Sequence, residues 1–176
     1  VYDKAGQLVE TLLPNATPNN WLDNPRIFAE YYDDGLVKAQ IDERGNRTEF
    51  RYDAKGQLTE VIFADDTPQD LSDNSRDRRQ YNAIGQQTAV IDALGHKTSY
   101  VYDDTGHLLQ TQFADGTSTN TEYDKLGRRT AVIDQNGKRT EYSYDALSRL
   151  IGVKDALNNW TTYSYNEIGN LITQTD

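Results

Sequence analysis

Apolar and polar residues alternate along this chain in runs of six or seven, and Asp- and Gly-rich turns separate the runs. The stretch GRRTAVIDQNGKRTEYSYD (127–145) is representative. Turn signals recur there at short and nearly even intervals, at Asp124–Gly127, Asp134–Gly137 and Asp145–Ser148. Between them Thr, Val, Ile and Tyr fall with period two, which predicts strands. No stretch of useful length has helical periodicity; FAEYYDD (28–34) is short and runs into Gly35. The pattern predicts an almost all-β chain of consecutive antiparallel hairpins.

The turns have their own chemistry. Asp or Asn followed three positions later by Gly begins at Asp3, Asp42, Asp53, Asn82, Asp92, Asp103, Asp124, Asp134 and Asn166, with near matches at Asp145–Ser148 and Asp155–Asn158. A carboxylate or amide at the first position accepts backbone N–H groups two positions on, and Gly at the fourth takes positive φ at little cost. This suits a type I turn closed by a glycine bulge. Asp115-Gly116 is read instead as a two-residue hairpin turn.

The strands repeat at a longer period. Aligned on the aromatic before the turn, the chain gives Tyr2, Tyr32, Tyr52, Tyr81, Tyr102, Tyr123, Tyr144 and Tyr165, with successive offsets of 30, 20, 29, 21, 21, 21 and 21. The basic unit is therefore the recurring step, as from Tyr102 to Tyr123, and it holds two strands. FADDT (63–67) matches FADGT (113–117), yet the next repeat tyrosine comes eight positions later in the first case. Two units thus carry inserts, placed near 14–28 and 64–79, and residues 1–176 form a single repeat array. Aromatics at i and i+2 (Phe50/Tyr52, Tyr100/Tyr102, Tyr142/Tyr144, Tyr163/Tyr165) share a strand face and predict an aromatic ladder across neighbouring strands. Trp160 is expected to join that ladder, and Trp21, with Leu71 at the equivalent place, to anchor its insert. Leu8, Leu58, Leu108, Leu150 and Leu171 take the second position after the turn, where Gln87 and Arg129 replace leucine in two units.

Composition sharpens this picture. Leu, Ile, Val and Phe number 36 of 176 residues, and 18 Lys+Arg against 28 Asp+Glu give a net charge of −10. Such values border on disorder. The 12 tyrosines and the periodic turns argue against it. Order must come from each hairpin stacking on the next, since one hairpin alone is marginal in water. Cys is absent, which removes disulfides, thiol nucleophiles and thiolate metal sites. The chain contains no Met and begins inside a repeat, so it reads as a piece of a longer polypeptide. Acidity disfavours nucleic-acid binding, and no apolar run predicts membrane insertion.

Candidate chemistry is sparse. His96 and His107 each follow a turn glycine, in slots held elsewhere by Asn46, Lys138, Arg128 and Gln57; all six read as interchangeable, exposed turn-exit positions. Nearly every Asp belongs to a repeating turn, whereas a catalytic pair should depart from the repeat. No catalytic residue and no cofactor are expected. Asp70, Asp73 and Asp77 cluster in the second insert and form a weak candidate calcium site, though Arg76, Arg78 and Arg79 compete for their carboxylates. The open sheet edges invite self-association.

YDKAGQL (2–8), YDAKGQL (52–58), YDDTGHL (102–108) and YDALSRL (144–150), with DERGNRTEFRYD (42–53), DALGHKTSYVYD (92–103) and DQNGKRTEYSYD (134–145), resemble the YD repeat of Rhs proteins. Its structural positions here are Tyr2, Tyr52, Tyr102, Tyr123, Tyr144 and Tyr165, with Gly6, Gly56, Gly106 and Gly127. The resemblance covers the chain apart from its two inserts. It implies a spiralling β-sheet strip forming a shell segment, as in bacterial Rhs polymorphic toxins and the encapsulating components of Tc toxins. It further implies a non-enzymatic wall whose partners are the rest of its own shell and an enclosed C-terminal toxin, secreted or displayed at a cell surface. No core-closing segment and no Asp-Pro cleavage motif are present in these residues. The alternative is a surface adhesin or carbohydrate-binding module that uses exposed aromatics.

Overall fold

The structure is a computed structural model and describes residues 1–14, 24–65 and 73–176. Two units are distinguished, Val1–His96 and Lys97–Asp176. The first contains β1 (Glu10–Leu12), β2 (Arg26–Tyr31), β3 (Val37–Ile41), β4 (Arg47–Tyr52), β5 (Leu58–Ile62), β6 (Arg76–Tyr81) and β7 (Gln87–Ile91). The second contains β8 (Lys97–Tyr102), β9 (Leu108–Gln112), β10 (Ser118–Tyr123), β11 (Arg129–Ile133), β12 (Arg139–Tyr144), β13 (Leu150–Lys154), β14 (Trp160–Tyr165) and β15 (Leu171–Thr175). Within each unit every strand pairs antiparallel with its sequence neighbours. The described residues contain no helix, and the all-β hairpin architecture is as expected.

Thirteen described turns share one hydrogen-bond pattern. The fourth residue donates to the first carbonyl, and the first N–H donates to the fifth carbonyl, as in Gly127 N to Asp124 O (3.0 Å) and Asp124 N to Arg128 O (2.9 Å). This is the type I turn with a bulge at the fourth residue, which takes positive φ. Ser148 (φ 64°) and Asn158 (φ 68°) fill that place without glycine.

Two turns correct the sequence reading. Phe113 N donates to Thr117 O and Gly116 N to Phe113 O, so the Asp115-Gly116 turn is the common kind and not a two-residue hairpin. Phe113 occupies the slot usually held by Asp, and Asp115 caps the exit by accepting from Thr117 N at 2.9 Å. Likewise, Tyr32 N donates to Leu36 O, which puts Tyr32 in the turn slot. Tyr31, not Tyr32, ends β2 and is the true repeat tyrosine. The offsets from Tyr2 to Tyr81 thereby become 29, 21 and 29. Both inserts then have one size: Leu13 N reaches Pro25 O (2.8 Å) and Phe63 N reaches Ser75 O (3.0 Å), each span eight positions longer than Phe113–Thr117. The inserts are also shorter at their ends than expected, because Arg26–Phe28 and Arg76–Arg79 already belong to β2 and β6. Trp21 and Leu71 lie outside the described residues.

Burial is thin. Among the described residues the buried hydrophobic side chains are Ala39, Val61, Ile62, Ala89 and Ala131. Three of these are alanines at the middle of odd-numbered strands, and Ala89 faces Gln80 in register. Ala39 lies between Glu30 and Glu49, and Ala131 between Glu122 and Glu141. Arg47 spans the first pair, with nitrogen–oxygen distances of 2.7 Å to Glu30 and 3.0 Å to Glu49. Arg139 spans the second pair at 2.6 and 3.2 Å. A small residue beneath lets the guanidinium bridge three strands. The hydrogen bonds it donates to Glu30 hold the Arg47 guanidinium well above its ordinary pKa. The centre of β5 inverts the scheme: Glu60 lies between Arg51 and Arg78 and pairs with both, and with Arg76. In β13 the small residue is Gly152, where an added Cβ would meet Ser143 Oγ at 2.6 Å and the Trp160 ring at 3.0 Å. Trp160 therefore covers the polar-face centre of β13. It does not join the tyrosines, because Tyr163 and Tyr165 point to the opposite side of β14.

Candidate functional site

Five of the repeat tyrosines are held at both ends. Their hydroxyls donate to the carbonyl of the second residue after the preceding repeat's turn: Tyr31 to Leu8 (2.9 Å), Tyr81 to Leu58 (2.8 Å), Tyr123 to Leu108 (3.2 Å), Tyr144 to Arg129 (2.9 Å) and Tyr165 to Leu150 (2.8 Å). A backbone acceptor is indifferent to its own side chain, which is why Arg129 can replace leucine there.

The rings of Tyr123, Tyr144 and Tyr165 are covered by turn-exit side chains, and this changes the expected ladder. His107 stacks on Tyr123 with ring centroids 4.7 Å apart. Arg128 lies over Tyr144 and Arg149 over Tyr165, both at 4.9 Å, and Arg129 lies over Tyr142 at 5.6 Å. Such cation–ring contacts are worth about 0.5–1 kcal/mol at exposed sites. Each exit side chain is anchored behind by its own turn: Arg128 Nε to Asp124 Oδ2 and Arg149 Nε to Asp145 Oδ2, both 2.7 Å. Ahead, each reaches the next repeat's turn: Arg128 donates to Asp145 O (3.2 Å) and Arg149 to Asn166 O (3.1 Å). Gln57 donates to Gly85 O at 3.0 Å in the same way.

The turn-exit slots are accordingly two classes, not one. After the half-motif without tyrosine, Asn46, His96 and Lys138 are exposed. After the YD turn, Gln57, His107, Arg128 and Arg149 are half-buried and link repeats. His107 corrects the exposed reading: its Nδ1 lies 2.9 Å from Asp103 Oδ2 and 2.8 Å from the Thr105 hydroxyl, and its ring covers Gly127. The Thr105 hydroxyl, with His107, holds the Asp103 carboxyl far below the ordinary carboxylate range. His96 meets Asp92 at 2.9 Å in solvent.

The other predicted positions are dispersed. Gly6, Gly56, Gly106 and Gly127 have φ of 82°, 76°, 94° and 76°. Tyr2 bridges Leu8 and is largely exposed. Burial, with Tyr100 nearby, pushes the Tyr102 hydroxyl up. Of the calcium candidates, Asp70 lies outside the described residues, Asp73 is an exposed bend residue, and Asp77 sits in β6 opposite Val61. Among the described residues no group of three or more His, Cys, Asp or Glu is placed to share a metal ion.

One cleft was not foreseen from the repeat. It has a volume of about 510 Å³ and lies where Tyr32 occupies the turn slot. The Tyr32 and Tyr52 rings meet edge to face at 6.2 Å, and Asp33, Asp34, Leu36 and Asp53 complete its wall with Arg51. Burial, then the proximity of Tyr32 and Asp34, pushes the Tyr52 hydroxyl up.

Fold and contacts together define a β-hairpin repeat array locked by tyrosine and turn-exit side chains. The RHS Repeat family profile matches residues 31–68, 81–118 and 123–159, and the chain belongs to that family. The first and second matches begin at Tyr31 and Tyr81, the third at Tyr123, each a repeat tyrosine. Among solved structures, the crystal structure of TcdB2–TccC3–Cdc42 is similar at 19% identity and a TM-score of 0.70, over 98% of this chain and 11% of that one. The crystal structure of TcdB2–TccC3 gives the same values. The Photorhabdus luminescens Tc holotoxin pore with the TccC3 D651A mutation is similar at 19% identity and TM-score 0.67, over 96% of this chain and 10% of that one. The chain thus shares their fold and spans about a tenth of their length. No curated protein matches it.

Proposed function

We propose that this chain is a non-enzymatic stretch of wall in an Rhs-type shell that encloses a toxin or other cargo polypeptide within a larger secreted bacterial protein. Its partners are the neighbouring repeats of its own shell and the enclosed chain. The observation that carries this reading is the repeat-to-repeat lock. Most repeats hand a side chain or a carbonyl to the next, so the sheet extends by repetition and needs no conventional core. Membership of the RHS Repeat family and the fold shared with Tc toxin structures support it. The polar face, with Glu and Arg bridging over alanine, suits a wall wetted on that side and gives an enclosed chain no hydrophobic grip.

The adhesin reading is weakened by the same contacts. A sugar ring packs on an open aromatic face, and those of Tyr123, Tyr144 and Tyr165 are covered by His107, Arg128 and Arg149.

Protease protection tests the proposal. In the whole polypeptide that carries this array, the cargo is expected to survive protease concentrations that digest it when expressed alone. Combining Arg128→Ala with Tyr144→Ala is expected to open the wall and speed cargo digestion. Equal digestion with and without the array removes the shell reading.

A further inference from the structure

The cleft at Tyr52 is explained by what the other repeats do at the same place. In the repeats at Tyr144 and Tyr165 the ring is covered by an arginine from the preceding turn exit. That arginine is held by a carboxylate behind and donates to the first carbonyl of the next turn ahead. The receiving half of this arrangement is intact around Tyr52: the ring is present, and the 53–57 turn has the common geometry with Asp53 O at its first position. The donating half is missing. The turn exit is Leu36, whose side chain lies against Gly56 and carries no charge. Tyr32 replaces the aspartate that would anchor a guanidinium.

The carboxylates have moved rather than vanished. Asp33 and Asp34 line the cleft with Tyr32, and among the described residues Asp33 makes no hydrogen bond. Asp34 uses one oxygen to accept from Leu36 N at 3.1 Å. Tyr32 is fixed by donating its hydroxyl to Phe50 O at 3.1 Å, so the aromatic wall does not swing freely into the gap. Arg51, the cation of the lining, is tied to Glu60. What remains is an aromatic corner beside unneutralised carboxylates, with a turn carbonyl ahead, in a chain of net charge −10.

We propose that this cleft binds an arginine side chain presented by another polypeptide segment, which supplies in trans the guanidinium that other repeats supply in cis. The guanidinium lies over Tyr52, faces Asp33 and Asp34, and donates to Asp53 O. Cation–ring attraction and charge-assisted hydrogen bonding are the two contributions. A planar guanidinium satisfies both at once, which a neutral group of the same shape does not.

The test is a nuclear magnetic resonance titration of the chain with Nα-acetyl-arginine methylamide and, in parallel, its citrulline counterpart. The expected result is saturable shifts confined to residues 32–36 and 52–57, with the citrulline compound at least about threefold weaker. Leu36→Arg places the guanidinium in cis; it is expected to abolish the shifts while raising the melting temperature. Asp33→Asn combined with Asp34→Asn is expected to weaken binding with the spectrum otherwise unchanged. Equal response to both probes, dispersed non-saturating shifts, or a Leu36→Arg chain that still binds would each overturn the proposal. Shifts at the same residues with oligosaccharides and none with arginine would overturn it too, and would assign the cleft to a sugar.

Discussion

Asp145 performs three tasks in one turn. Its Oδ1 accepts from Leu147 N and Arg149 N, both at 2.9 Å, and its Oδ2 orients Arg149 over Tyr165. The pattern recurs, and hydrogen bonds within the turn hold the carboxyls of Asp42, Asp92, Asp103, Asp145 and Asp155 below their ordinary range. The leading donors are the Asn46 side chain at Asp42, the His96 amide at Asp92, the Thr105 hydroxyl at Asp103, the Arg149 amide at Asp145 and the Asn159 side chain at Asp155. A carboxyl whose folded pKa is depressed contributes stability above its unfolded value, and that stability is lost as pH falls through the folded value. Unfolding followed by circular dichroism is therefore expected to show stability insensitive to these groups near neutrality and falling below about pH 4. Glycine at the turn's fourth place gives a sharper comparison. Gly137→Ala meets open space and carries only the cost of a left-handed residue, about 1–2 kcal/mol. Gly127→Ala carries the same cost and also drives its Cβ to 2.8 Å from His107 Nε2, disturbing the stack on Tyr123. Urea midpoints are expected to fall further for Gly127→Ala; equal losses would remove His107 from the account of the lock.

At the scale of the strand, the central position of the polar face decides what can cross it. Alanine at 39 and 131 lets one arginine reach glutamates on both sides, while Gly152 admits the Trp160 ring. Ala39→Leu is expected to destabilise by about 1–3 kcal/mol in urea unfolding, by lifting the bridge away. Glu30→Gln, at a half-exposed pair, is expected to lower stability by less than about 1 kcal/mol, with the difference shrinking in high salt. Alternation in the sequence was enough to place these strands. It could not show which face would hold Trp160, although residue parity along WTTYSY carried the answer: Trp160 and Tyr163 are an odd number of positions apart. The Tyr32 misalignment had a readable signal as well. Where an aromatic displaces Asp from the first turn position, Asp appears two positions later, at Asp34 and at Asp115, and caps the exit amide.

For the molecule as a whole, stability is distributed along the array. Tyr144→Phe removes one hydroxyl-to-carbonyl bond and is expected to cost about 0.5–1.5 kcal/mol, with faster hydrogen exchange concentrated in β11–β13. Exchange rising uniformly over the second unit would show that its repeats open together. Among the described residues β15 pairs with β14, and every one of its residues is exposed. Leu171 and Ile172 lie on that strand, so concentration-dependent association is expected in sedimentation and should diminish in Ile172→Lys.

The hairpins, their turns and their tyrosine-to-tyrosine period were determined by the sequence alone, because these depend on interactions within a single turn or strand. Period-two alternation and an Asp that caps its own turn act before any distant segment is in place. The locks were not legible in that way. Arg128 meets Tyr144, and Gln57 meets Gly85, across most of a repeat or more, at distances that depend on strand register, bulges and insert length together. Only the tertiary structure sorted the turn exits into exposed and linking classes, laid arginines over Tyr144 and Tyr165, and set a leucine at the exit facing Tyr52. The physical reason is that a side chain's own type states what it can bind, while the twist and register of the sheet decide what it reaches.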